Sequence, residues 1–147
     1  MATTKSTIAL LLLFIFIGQV SMAQGRPNWT SDQLMEPSEL ATALKTNKNV
    51  PLILSVGPGA VIPKSKDIGM VKDAENLEKL KHELSGLAKD TPVVIYCGCC
   101  PFDRCPNVRP AIQLLKEMKF TNYQLLNLAH NIKIDWIEKG YPTTDSN

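Results

Sequence analysis

Outside one stretch of nine residues the chain has no cysteine at all: Cys97, Cys99, Cys100 and Cys105 are the complete set. A disulfide framework staples segments that are far apart, so this distribution excludes one as the organising principle. An excess of one charge is lacking too. Sixteen Lys and Arg stand against 14 Asp and Glu, a net of +2, which excludes nucleic-acid binding through bulk positive charge. There is no internal repeat and no low-complexity segment. With 44% hydrophobic and 20% charged residues in 147, the composition is that of a one-domain globular protein, and a disordered tail or collagen-like fibre is excluded. What is present, and unusual, is the crowding of all four thiols.

The main apolar run lies at the start. Lys5 gives a short positive region, Ile8 to Val20 an apolar stretch, and Ser21-Met22-Ala23 the small residues that a signal peptidase reads. Thirteen residues fall short of the about 20 needed to span a bilayer, and no cysteine follows to take a lipid. The expectation is a leader over residues 1–23, cleaved before Gln24, and an exported protein, periplasmic or secreted, with no stable membrane insertion afterwards. The remaining 124 residues would carry a net charge of +1, because Lys5 leaves with the leader. In an oxidising compartment, free thiols need a reductant or a function.

Residues 24–37 read as an irregular lead-in, 38–142 as one domain and 143–147 as a tail. Pro37-Ser38-Glu39 opens a helix with Leu40, Ala43 and Leu44 on one face, ended by Asn47 to Asn49. Leu52 to Val56 is an apolar run between Pro51 and Gly57, which predicts a buried strand. A loop from Gly57 to Gly69 follows, with a brief strand expected near Ile68 to Val71. Leu77, Leu80, Leu84 and Leu87 recur at three and four residues and predict a helix over Asn76 to Leu87. Val93 to Tyr96 is apolar throughout, as in a central parallel strand covered on both faces. Val108 to Lys119 forms a third helix, with Asn107 as its expected N-cap and Pro110 at its third position, where no amide hydrogen is required. Tyr123 to Leu128 predicts a strand, and Ile132 to Lys139 a short helix that carries Trp136. Strands alternating with helices give an α/β domain with a mainly parallel sheet flanked by helices. Sites in such sheets lie beyond the carboxyl ends of the strands, and Cys97 directly follows the most apolar one.

The cysteine loop reads Cys97-Gly-Cys-Cys-Pro-Phe-Asp-Arg-Cys-Pro-Asn-Val-Arg109. A thiolate is the nucleophilic form of cysteine, and amides, cations and a helix N-terminus stabilise it. The loop supplies exposed amides, Arg104 and Arg109, and the helix that opens near Asn107. A phosphatase loop needs cysteine six residues before arginine, but Gly98 and Asp103 hold those positions. A zinc site normally draws ligands from two knuckles; adjacent Cys99 and Cys100 are expected to be hard to aim at one ion, so no metal ligand and no cofactor is assigned. A local disulfide, such as Cys97 or Cys100 with Cys105, stays open. His130, just after the last strand, is a candidate to approach the loop from the carboxyl side of the sheet.

Val93 to Cys97 (VVIYC), the helix with Leu114 to Phe120, the strand Tyr123 to Leu128 and the closing Trp136 to Pro142 resemble the rhodanese family of single-domain sulfurtransferases, in an exported bacterial form with the CGCCPFDRCPNVRP loop. The resemblance spans about Ser38 to Pro142. It implies a parallel sheet flanked by helices, with an active loop wrapped around a sulfur-carrying cysteine. The matching residue is Cys97, which would take a sulfane sulfur as a persulfide. Cys99 is a rival nucleophile, since its distance from Arg104 is common in rhodanese loops. Gly98, Cys100, Arg104, Cys105 and Arg109 would complete the loop, and a small sulfur-containing anion or a protein thiol would be the partner. Two other readings use the same thiols: a binding module for a soft metal, and a thiol–disulfide redox protein.

Overall fold

The computed structural model describes residues 29–144; the leader and its cleavage site lie outside the described residues. Five short strands make one sheet: β1 (Leu34–Met35), β2 (Leu52–Ser55), β3 (Ser65–Asp67), β4 (Val93–Tyr96) and β5 (Tyr123–Leu126). Their order is β1-β5-β4-β2-β3, and every pairing is parallel. The three long helices are α1 (Pro37–Thr46), α2 (Ala74–Leu84) and α3 (Val108–Glu117). The α/β fold expected from the sequence is therefore the fold observed.

The sheet is covered on both faces because successive residues of its strands are apolar. Leu54, Val93, Ile95 and Leu125 pack against Leu80 and Leu84 of α2 and Val108, Ala111, Ile112 and Leu115 of α3. Their neighbours Ile53, Val94, Tyr96 and Leu126 pack on the other side against Leu40 and Ala41 of α1 and against Trp136. Fully burying one such side chain stabilises the fold by about 1.5–3 kcal/mol, so the two faces act as two cores divided by one sheet. The central strand β4 has all four residues buried.

Four expectations change. The lead-in is not irregular throughout: Ser31–Gln33 forms a 3-10 turn, and Leu34–Met35 pairs with Leu125 and Leu126 as an edge strand. The brief strand after the first loop lies earlier than expected, at Ser65–Asp67. Ile68 and Val71 instead turn inward as core residues. The helix expected over Asn76 to Leu87 runs from Ala74 to Leu84. The closing helix is a π-helical turn over Lys133–Ile137, which buries Trp136. Among the described residues, no helix is long and apolar enough to cross a membrane.

Candidate functional site: a four-thiol loop

The carboxyl end of β4 leads directly into the cysteine loop. Cys97 is buried at 2% exposure and belongs to the core between the sheet and helices α2 and α3. Cys105 returns to the same place just before α3 and is also buried, whereas Cys100 is half-buried and Cys99 exposed. The four sulfurs all lie within 4.8 Å of one another. Cys97 Sγ stands 3.3 Å from Cys99 Sγ, which in turn stands 3.3 Å from Cys100 Sγ. All four cysteines are free thiols. Adjacent Cys99 and Cys100, expected to be hard to aim at one ion, nevertheless bring both sulfurs to the same cluster, because the backbone bends over Gly98 to Cys100.

The loop is tied down along its length. The Phe102 amide donates to Leu128 O at 3.1 Å, Ile132 N donates to Gly98 O at 3.0 Å, and Arg104 N donates to Pro101 O at 3.1 Å. A side chain on Gly98 would stand 3.0 Å from Ile132, so Ile132 would have to give by a few tenths of an ångström to admit one. Gly57 forms the floor: a methyl group there would meet Cys97 Sγ at 2.6 Å.

Asn107 was expected to cap α3 and does not do so. It makes no side-chain cap. Its Oδ1 accepts from the Lys72 amide at 3.0 Å, and its Nδ2 donates to Cys97 Sγ at 3.6 Å. Buried at 2% exposure, it carries the loop before α2 to the sulfur. Nothing in its position before a helix distinguishes such a bridge from a cap.

The surroundings divide the thiols. The Cys105 thiol beside it lowers the pKa of Cys97 most; burial opposes this, and the Cys99 amide, the Cys99 thiol and Asn107 add to it, leaving Cys97 at about 5. Burial, then Cys100 and Cys97, push Cys99 up to about 12. Cys105 is pushed up because it donates to Cys97. One thiolate, on Cys97, held by protonated neighbours is the resulting pattern.

The remaining expected residues lie to one side. Arg104 is 82% exposed and stands 3.8 Å from Asp103. Arg109 donates to Asp103 O at 3.3 Å and lies over the Trp29 ring at 5.7 Å, so its cation is engaged by those two groups. His130 is 63% exposed, its Nδ1 3.0 Å from Asp135 Oδ1. Burial resists ionisation of Asp135, yet the His130 side chain and the His130 and Asn131 amides hold its carboxyl below the usual range. Arg104 and His130 do share a cleft of about 520 Å³ with Trp29, Pro101, Phe102, Asp103 and Ala129, and no thiol lines it. Sequence reading missed Asn107 and Gly57 as site residues. A lone buried amide and a glycine ending a strand carry no local signal of a sulfur contact.

No protein-family model and no curated protein matches the chain. Solved structures do. The BH2092 protein from Bacillus halodurans is similar with a TM-score of 0.57 and 16% identity over 76% of this chain and 76% of that one. A cysteine-to-serine variant of EanB in complex with hercynine is similar with a TM-score of 0.52 and 16% identity, over 76% of this chain and 27% of EanB. A rhodanese-related protein from Thermoplasma volcanium also aligns, at 18% identity over 76% of this chain and 96% of that one, with a TM-score of 0.47. At these identities the likeness is one of fold.

Proposed function

We propose that this is an exported sulfurtransferase on a rhodanese-like scaffold, carrying sulfur as a persulfide on Cys97. The observation that carries the reading is the placement of Cys97 Sγ. It lies at the carboxyl end of the central parallel strand, against Gly57, with Asn107 Nδ2 and the Cys99 thiol directed at it. This is where a parallel α/β sheet presents its chemistry, and donors aimed at one sulfur stabilise an anion there.

The reaction divides into two displacements. The Cys97 thiolate attacks the outer sulfur of a thiosulfate-like donor; the new S–S bond gives Cys97 persulfide, and sulfite leaves with the electron pair of the broken bond. A thiophilic acceptor such as cyanide or a thiolate then attacks the terminal sulfur and takes it away, returning the electron pair to Cys97. Asn107 and the loop amides hold the negative charge in both anionic states, and exposed Arg104 is available to the donor's anionic end. The leader-like start of the chain supports an exported setting, and a mature protein beginning at Gln24 would confirm it.

The test is sulfur transfer from thiosulfate to cyanide, with each cysteine changed to serine in turn. Loss of turnover in Cys97→Ser, with Cys99→Ser still active, supports the reading. Full activity in Cys97→Ser, or none in the unaltered protein with any donor, rejects it.

A further inference from the structure

We propose that Cys97, Cys99, Cys100 and Cys105 together form a binding site for one thiophilic d10 cation, Zn2+ or Cu+. The inference needs neither a persulfide nor a sulfur donor, and it stands on where four sulfur atoms lie. In a tetrahedral thiolate site a Zn–S bond of about 2.3 Å places the sulfurs ~3.8 Å apart. Here two edges measure 3.3 Å and none exceeds 4.8 Å, so the observed spacings bracket the ideal edge. Closing on an ion requires displacements of well under the length of one bond.

The four ligands arrive by different routes. Cys97 comes from the end of a strand, Cys99 and Cys100 from the reversal after it, and Cys105 from the return before α3. Two sulfurs are buried and two lie nearer solvent, giving a fixed floor and an entry side. Asn107, anchored to the Lys72 amide, donates to Cys97 Sγ as an outer hydrogen bond that would orient the ligand. Cys97 and Cys105 belong to the same buried apolar cluster as Val56 and Val108, against which Phe102 packs. An all-sulfur donor set with no carboxylate selects soft or borderline ions over Mg2+ and Ca2+. A bound ion would engage the Cys97 sulfur itself, so the cation and a sulfane sulfur exclude one another.

The experiment uses the full chain, reduced with a phosphine and freed of metal, titrated separately with Zn2+ and, without oxygen, with Cu+. Co2+ serves as a spectroscopic probe that Zn2+ should displace. The expected result is one equivalent bound, with thiolate-to-cobalt charge transfer and the intense visible bands of a tetrahedral site. Cys99→Ser and Cys100→Ser lie on the open side and should keep the wild-type circular dichroism while losing at least about tenfold in affinity. A folded, reduced chain that binds neither Zn2+ nor Cu+ stoichiometrically overturns the proposal. So does unchanged affinity in both variants. Because binding is read without turnover, an inactive protein that holds the ion sinks only the sulfur-transfer reading, and an active one that holds none sinks only this one.

Discussion

Tyr96 and Cys97 are consecutive residues on one strand end, and the sheet sends them to opposite cores. The Tyr96 hydroxyl is fully engaged: it accepts from Val61 N at 3.1 Å and meets Ser65 Oγ at 3.2 Å, fixing the loop between β2 and β3. Cys97 also gathers donors, but they come from two thiols, the Cys99 amide and the Asn107 side chain, and one of those thiols, Cys99, is exposed. The same strand thus ends in one polar group tied mainly to backbone and one tied mainly to other thiols.

The sharpest break in this comparison is Cys97→Ser, which should lower kcat/KM for sulfur transfer by at least about a thousandfold, with the unfolding midpoint little changed. A pH series sharpens it. With Cys97 held at about 5 by Cys105, Cys99 and Asn107, the metal-free protein should show one thiolate by ultraviolet absorbance above that pH. Transfer should fall about tenfold for each pH unit below it, as the nucleophile takes up its proton. A first thiolate appearing only near the ordinary thiol value would contradict the pattern. Gly57→Ala presses a methyl group on the sulfur and should destabilise by about 1–3 kcal/mol, while also reducing transfer. Tyr96→Phe is the mirror case: chemical denaturation should show a loss of about 1–3 kcal/mol as the Val61 and Ile62 amides lose their partner, with transfer within about twofold of wild type. Arg104→Ala should do least, a few-fold rise in KM for an anionic donor with kcat unchanged; the pair with Asp103 is exposed and weak.

What could be read beforehand follows the same divide. The central strand, the leucine stripe of α2 and the inner face of α3 announce themselves, because burial on both sides leaves a pattern in residue type. β1 does not: two residues joined to β5 through backbone bonds require no particular side chain. Nor does β3, whose Ser-Lys-Asp sequence lies at the other edge. Cys97 was legible from its place after β4. The meeting of the four sulfurs was not, since it depends on the path of a loop pinned by Leu128 and Ile132, residues well beyond it in the chain. Asn107 follows the same logic, its amide being committed to Lys72 and Cys97 rather than to the helix it precedes.

The contact between Gly57 and the Cys97 sulfur has a further consequence. A Cβ at Gly57 would fall 2.6 Å from the sulfur, so no side chain can be added there with Cys97 left where it is. The two positions therefore have to change together: what can stand in place of Gly57 is set by where the Cys97 sulfur lies.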